Sequence, residues 1–272
     1  NRNNTCSRNN KFKIIAVLSA KNEEDMISRW LERTSSIVDG IIVLDDGSTD
    51  STPEIIKNHP KVLQIITNPV NLGWKVMENR NRLLTAAKSY NPNWILISDT
   101  DEILDNRIVS NLDNLIGDPG VGQIFFKEIT LWKNTKEYRT DKPEMYNRPE
   151  GTCRLVRMSP ELKWILPAEY QWKRRIYNSV KKFRYIKAPV SGIEKLVGIE
   201  GSTLYSDYVR IHYHFVNWDD TWYKHMRYAV RDAIQFKKPL NELEAICKWA
   251  SSRLDESTLS TSPINPDWGV LD

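Results

Sequence analysis

Long apolar runs are missing from this sequence: none approaches the ~18 residues that a membrane-spanning helix needs, and the stretch around Ile41–Leu44 is only strand-sized. Cysteine is scarce. Cys6, Cys153 and Cys247 are odd in number, far apart and without a C-x-x-C pair, which argues against a disulfide framework and against a cysteine-built zinc site. A strong basic excess is also missing. Thirty-nine Lys and Arg face 35 Asp and Glu, a formal net charge of +4, which suits an anionic small ligand and falls short of a dedicated nucleic-acid binder. No internal repeat, low-complexity linker or signal peptide is visible. The first residue is Asn1 rather than Met, so an anchoring or targeting segment can lie outside this chain. These absences lead to the expectation of a cytoplasmic protein in a reducing compartment, with no nucleic-acid partner and no membrane span.

What is present is core-forming material. Forty per cent of the 272 residues are hydrophobic, with ten Trp and eleven Tyr, enough for one large α/β domain. Short apolar runs at 13–19, 41–44 and 94–98 read as buried strands, and 62–67 as a further strand between them. Helical patterns separate them, from Asn22 to Ile37, from Thr52-Pro53 to Lys57 and from Met77 to Ser89. Thr52 followed by Pro53 is an N-cap and first-turn pair. Strand and helix alternating over about a hundred residues imply βαβ units and a mostly parallel sheet. Ligands of such sheets bind at the carboxyl ends of the strands. Asn22-Glu23, Asp45-Asp46 and Asp99-Thr100-Asp101 each follow a strand directly, so three polar clusters should converge on one edge.

Further along, the pattern predicts a helix ending at Ile116, a strand over 121–132, a long loop over 133–152, short strands at 154–158 and 163–165, and a strand over 209–216. Residues 188–206 read as irregular. Two amphipathic helices are expected at about 219–236 and 240–254, followed by a loose tail. The expected organisation is a disordered lead-in over 1–11 and one domain over 12–216, divided into a nucleotide-binding half (12–105) and an acceptor half (106–216). Helices packed on it over 217–256 and a tail over 257–272 complete the chain.

The sharpest chemical signal is Asp99-Thr100-Asp101-Glu102 at the end of a buried strand. Two carboxylates one residue apart repel each other unless a cation sits with them. Hard oxygen ligands select Mg²⁺ or Mn²⁺, which keep waters and bind substrate phosphates. The plainer reading is that these aspartates cap the next helix or are solvated. Asp45-Asp46-Gly47-Ser48-Thr49-Asp50 offers a carboxylate to a base N–H or a ribose hydroxyl. An Asp-Gly turn with capping Ser and Thr is the alternative, and both can hold together.

Taken in order, Val17-Leu-Ser-Ala-Lys-Asn22-Glu23-Glu24, Val43-Leu-Asp-Asp46-Gly-Ser-Thr-Asp50, Asn71-Leu-Gly73 with Arg80-Asn81, and Asp99-Thr-Asp101-Glu102 resemble the family 2 glycosyltransferases of the GT-A fold. The match covers about the first 105 residues. It implies a metal-dependent enzyme that moves a sugar from a nucleotide diphosphate donor, uridine-linked, to an acceptor hydroxyl with inversion. By the same resemblance Ser19, Asn22, Glu23, Asp45 and Asp46 line the nucleotide pocket, and Arg80 approaches the nucleotide. Asp99 holds the ribose or the metal, and Asp101 ligates the Mn²⁺ or Mg²⁺ that bridges the diphosphate. The Arg-Asn pair lies two residues further from Gly73 than in many relatives.

Such a displacement needs a carboxylate to deprotonate the acceptor. Glu169 in Leu166-Pro-Ala-Glu169-Tyr170 is the candidate, where relatives often carry His-Glu and this chain has Ala168; Glu150 and Asp141 are backups. In Ile211-His212-Tyr213-His214-Phe215, alternation places both imidazoles on one side of a strand. The wider fold often completes its metal shell with a late His, and register favours His212 over His214. A satisfied core His is the plain alternative. The basic-aromatic stretch Trp172–Arg184 suits an acidic or sugar acceptor or is simply a solvated strand face. Two rivals complete the set. One is a sugar-phosphate nucleotidyltransferase, disfavoured because Ser19–Glu24 has no glycine to grip a triphosphate. The other is a non-catalytic nucleotide-sugar-binding module.

Overall fold

The computed structural model describes residues 11–69, 75–143, 154–167, 194–217, 221 and 255–270. Glu169, Glu150, the Asn71–Gly73 turn, the Trp172–Arg184 stretch, the two C-terminal helices and all three cysteines lie outside the described residues.

Up to residue 100, the described residues fold as their periodicity demands. Strands β1 (Ile14–Ala20), β2 (Gly40–Asp45), β3 (Val62–Thr67) and β4 (Trp94–Ile97) alternate with helices α1 (Glu24–Ser35), α2 (Thr52–Lys57) and α3 (Val76–Lys88). β1 lies between β2 and β4, and β2 pairs with β3, all parallel. Every residue of β2 and β4 is buried, as a parallel sheet covered on both faces requires. Ile14, Ala16, Leu18, Ile41 and Val43 face one layer with Trp30 and Leu31 of α1. Ile15, Val17, Ile42 and Leu44 face the other, with Leu83, Leu84 and Ala87 of α3.

Beyond β4 come β5 (Glu102–Leu104), α4 (Ile108–Ile116), β6 (Val121–Thr130), β7 (Glu137–Arg139), β8 (Arg154–Arg157), β9 (Lys163–Ile165), β10 (Lys195–Val197), β11 (Ser202–His212) and β12 (Thr261–Pro263). Among the described residues, eight strands form the main sheet in the order β3-β2-β1-β4-β8-β6-β11-β5. β8 is antiparallel to both β4 and β6, β11 is parallel to β6, and β5 is antiparallel to β11. The carboxyl ends of β1, β2, β4, β6 and β11 therefore share one edge with the start of β5. In a flat sheet β4 and β5 would stand about 19 Å apart, four steps of ~4.8 Å. The chain joins them through a tight turn in which Glu102 N donates to Asp99 O at 3.1 Å. The sheet must therefore curl, and β5 returns beside β4.

Three stretches differ from expectation. Residues 133–152 contain β7, and 188–206 contain β10 and the first half of β11; exposed, polar positions along these strands hide the period-two pattern (β11 reads e-e-i-e-i-e-i-B-B-B-i from outside to buried). The expected loose tail is a clasp. β12 pairs antiparallel with β7, and Ile264, Trp268 and Val270 pack against Ile103, Ile129, Leu131 and Ile211. The Arg33 guanidinium donates to the carbonyls of Leu104, Trp268 and Gly269. Among the described residues no helix is long and apolar enough to cross a membrane.

Candidate active site

The site grows from loops that the sheet delivers to its carboxyl edge. Asn22, at φ 53°, crosses from β1 to the β2 loop. Its N–H donates to Ser48 Oγ at 2.9 Å, and its Oδ1 accepts from Thr49 N at 2.8 Å. Glu23 N donates to Thr52 Oγ1 at 2.8 Å, so the first two loops are laced together. Gly47 takes φ 76° at the turn, a conformation that costs a residue with a Cβ. Within that turn the aspartates divide. Asp45 is buried, and its Oδ1 accepts from Ser48 N at 3.0 Å. Asp46 Oδ1 accepts from Asn68 Nδ2 at 2.7 Å and from Asn79 Nδ2 at 3.3 Å. Asn68 and Asn79 are both buried and bonded to each other at 3.1 Å. Arg82 donates to Asn68 Oδ1. Arg80 instead lies 4.5 Å from the Trp164 ring centre, and Asn81 bonds both backbone groups of Trp164. Ser19 is exposed on β1, in register with Leu44.

The second half of the site is a cluster of side chains that could hold a metal ion. Asp101, His212 and His214 can each offer one ligand atom, all within 4.8 Å of one another. Asp101 Oδ2 lies 3.1 Å from His214 Nδ1 and 3.5 Å from His212 Nε2. Ligands ~2.1 Å from an ion stand ~3.0 Å apart on an octahedral edge and ~3.4 Å apart on a tetrahedral one, so the spacing fits one cation. Tyr213 N donates to Asp101 O at 2.8 Å, tying the end of β11 to the β4–β5 turn. The two imidazoles stack, ring centres 5.4 Å apart, although β11 ends at His212 and His214 sits in the turn beyond. His214 thus joins the cluster on equal terms with His212, which register alone had favoured. Asp99 is not in this cluster. Its N–H meets Glu102 Oε2 at 3.3 Å.

Electrostatics mark the same place. Burial opposes charge on His212, but Asp101 and Glu128 outweigh it and hold the imidazole up at about 10. Burial likewise works against the Asp101 carboxylate, yet His212 and His214 pull it well below the usual range. Burial lifts Glu102 to about 7 against the pull of Arg210, with Asp99 and Asp101 adding to the rise. A cation competes with these protons for the same lone pairs. Glu128 and Arg210 were absent from the residues singled out in the sequence, and Glu102 entered only as the last residue of the acidic motif. The available signal was charge inside apolar strands, since buried charges are almost always paired.

Asp141 cannot serve well as a base. Arg139 donates to both its oxygens, at 2.6 and 2.8 Å, and holds its pKa down at about 2. It belongs to the clasp, accepting also from Thr258 Oγ1 and Ser260 N.

Comparison with known proteins settles the family. The model of Glycosyl transferase family 2 matches residues 15–160, just over half of the chain. The chain belongs to glycosyl transferase family 2. Its curled, largely parallel sheet flanked by helices is the GT-A arrangement that membership implies. Two uncharacterised proteins, from Mycobacterium bovis and Mycobacterium tuberculosis, are each 30% identical over 102 residues, 36% of this chain and 25% of theirs. The chain thus spans about a quarter of the length of the curated relatives it matches. Among solved structures, residues 1–349 of TarS from S. aureus align over 81% of this chain and 65% of theirs, at 15% identity and TM-score 0.46. The mannosyltransferase PcManGT from Pyrobaculum calidifontis, in complex with GDP-Man and Mn²⁺, aligns over 85% and 66%, at 13% identity and TM-score 0.44. Glucosyl-3-phosphoglycerate synthase from Mycobacterium tuberculosis, in complex with Mn²⁺, UDP-Glc and phosphoglyceric acid, aligns over 54% and 57%, at 21% identity and TM-score 0.36.

Proposed function

We propose that this family 2 member transfers a sugar, with inversion, from a uridine diphosphate donor to an acceptor hydroxyl, using Mn²⁺ or Mg²⁺. One observation carries the reading. Asp46 and the Asp101–His212–His214 cluster stand on the same carboxyl edge of one sheet, where a nucleotide diphosphate can reach from one to the other.

In this reading Asp46 presents an acceptor-only carboxylate, its Oδ1 already held by two amides. Such a group accepts from the imide N–H of uracil. Asn22 and Glu23 line the neighbouring loop, and Arg80 flanks the pocket from α3. Asp101, His212 and His214 would hold the cation, which when bound neutralises charge developing on the leaving diphosphate. Asp99, one turn residue from Asp101, faces the ribose. Glu169 takes the acceptor proton on the opposite side of the sugar, as one-step inversion requires.

A thermal-shift screen of UDP- and GDP-sugars with and without Mn²⁺ tests the reading. Ligand at 100 times its Kd stabilises by about 2.7 kcal/mol, so a uridine-linked donor with Mn²⁺ should raise the melting temperature by several degrees. A protein that no nucleotide shifts would contradict the proposal. Glu169→Gln should keep the donor shift and lose turnover; full activity in that variant removes Glu169 from the mechanism.

A further inference from the structure

Behind the Asp101–His212–His214 cluster lies a stripe of buried charge. Register places Glu102 of β5 opposite His212 of β11, and Arg210 and His212 opposite Glu128 and Thr130 of β6. These five side chains therefore share one face of three adjacent strands, while Ile103, Ile211 and Ile129 fill the opposite face. Arg210 is fully buried, and its two terminal nitrogens divide between Glu102 and Glu128. Glu128 is 2% exposed. Its Oε2 takes the guanidinium, and its Oε1 accepts from Thr130 Oγ1 at 3.1 Å. The same Oε1 stands 3.3 Å from His212 Nδ1, at ion-pair distance though not aligned as a hydrogen bond.

Nothing in a packing account asks for two carboxylates and a guanidinium in the interior of a sheet, since apolar side chains of similar volume are as stable or more so. Their geometry has another use. An imidazole ligates through one nitrogen only when the other carries the proton, and a carboxylate beside that other nitrogen fixes both tautomer and ring orientation. Here Glu128 lies on the Nδ1 side of His212, and Asp101 lies 3.5 Å from the Nε2 side.

We propose that Glu128 is a positioning residue for the cation site: it holds the Nδ1 proton of His212 so that the Nε2 lone pair faces the space shared with Asp101 and His214, and Arg210 in turn holds Glu128. This rests on the assignment of Asp101, His212 and His214 as metal ligands, and adds to it the reason the imidazole is poised. Thr130 and Arg210 hold the two oxygens of Glu128, which keeps the carboxylate from turning away. Glu102, bound to the other end of Arg210, ties the device to the residue next to Asp101.

The test is a Mn²⁺ titration of the whole chain, read as free Mn²⁺ by electron paramagnetic resonance. Glu128→Gln keeps the shape but no longer offers a carboxylate to Nδ1, and should weaken Mn²⁺ binding ~10–100-fold, the usual cost of losing such a partner. Thr130→Val, a near-isosteric change that frees Glu128 Oε1, should weaken it several-fold and serves if Glu128→Gln does not fold. A second readout separates positioning from simple destabilisation. With four histidines in the chain, ¹⁵N-imidazole spectra of the metal-free protein should show one resonance pair with a single Nδ1-protonated tautomer, or an imidazolium, that becomes a tautomer mixture in Glu128→Gln. Unchanged Mn²⁺ affinity with an unchanged imidazole spectrum in Glu128→Gln overturns the positioning role and leaves the metal ligands standing. Failure of the wild-type protein to bind Mn²⁺, or unchanged Mn²⁺ affinity in Asp101→Asn, overturns the ligand assignment and this inference together.

Discussion

Replacing Arg210 by Met should destabilise the protein by about 3–5 kcal/mol, the cost of removing one partner from a buried ion pair. The structure sets the upper part of that range. Arg210 is fully buried, and removing it abandons two carboxylates, Glu102 and Glu128, exposed by only 7% and 2%. Met replaces most of the aliphatic stem, so little of the loss is cavity. With a urea m-value near ~3 kcal/mol/M, the unfolding midpoint should fall by about 1–1.7 M. At ~2–4 °C per kcal/mol for a domain of this size, the melting temperature should fall by about 6–20 °C. Tryptophan fluorescence is a suitable signal, with ten Trp in the chain. The informative comparison is the triple variant Glu102→Gln, Glu128→Gln, Arg210→Met. It removes all three charges, so most of the lost stability should return. A single variant within about 1 kcal/mol of wild type would refute the claim that the network is desolvated. A triple variant as unstable as the single one would refute the claim that stranded charge is the cause.

Asp101→Asn should abolish the Mn²⁺-dependent part of any donor-induced thermal shift while leaving the protein folded, because Asn lacks the anionic oxygen that two imidazoles and a cation share. One carboxylate and two imidazoles form a softer set than the all-oxygen shell Mg²⁺ prefers, so Mn²⁺ should bind at least tenfold more tightly than Mg²⁺ in a direct competition titration; equal affinity would count against both imidazoles being ligands. Asn79→Leu should weaken binding of a uridine nucleotide about tenfold, roughly 1–1.5 kcal/mol for a lost buried hydrogen bond, since Asp46 then keeps only the amide of Asn68; calorimetry with UDP would show it. The pKa of Asp141, about 2 in the fold, lies below its unfolded value near ~3.9. Its contribution is therefore complete above about pH 4 and is lost as pH falls through 2. Proteolysis around Thr258 should accelerate over that acid window in wild type, and Asp141→Asn should already be susceptible at pH 6.

How much of this was legible in the sequence follows from what each segment must bury. The β1–β4 half could be read because β1, β2 and β4 are almost wholly buried, and a continuous apolar run such as Ile41–Leu44 has few other homes. The convergence of Asn22, Asp46 and Asp101 followed from parallel strands alone. β5 escaped notice because three residues carry no period, and because Glu102 looked like part of the acidic turn when it is the first strand residue. β11 was truncated to its buried end: the exposed positions from Ser202 to Tyr208 look like loop until β6 is laid beside them. The division of labour between Asp45 and Asp46 depends on which carboxylate the turn hydrogen bonds capture, and two adjacent aspartates offer no such distinction in one dimension. Glu128 and Arg210 were readable in principle as charges in apolar strands, but their joint meaning requires knowing that β6 and β11 are neighbours.

The clasp has a consequence for how the protein is made. Arg33 sits on the first helix, and the carbonyl of Gly269 that it grips lies 236 residues later. Chains emerge from the ribosome amino end first, so α1 can dock on β1 and β4 early while its arginine still waits for acceptors. The same delay applies to Asp101, whose histidine partners are more than a hundred residues downstream. The β1–β4 half can thus condense during synthesis, whereas the cluster of Asp101 with His212 and His214 is assembled only after residues 202–270 have been released. Contacts at such separations fold slowly, and a nascent chain stalled before residue 202 would expose a sheet edge at β6 that the finished protein never shows.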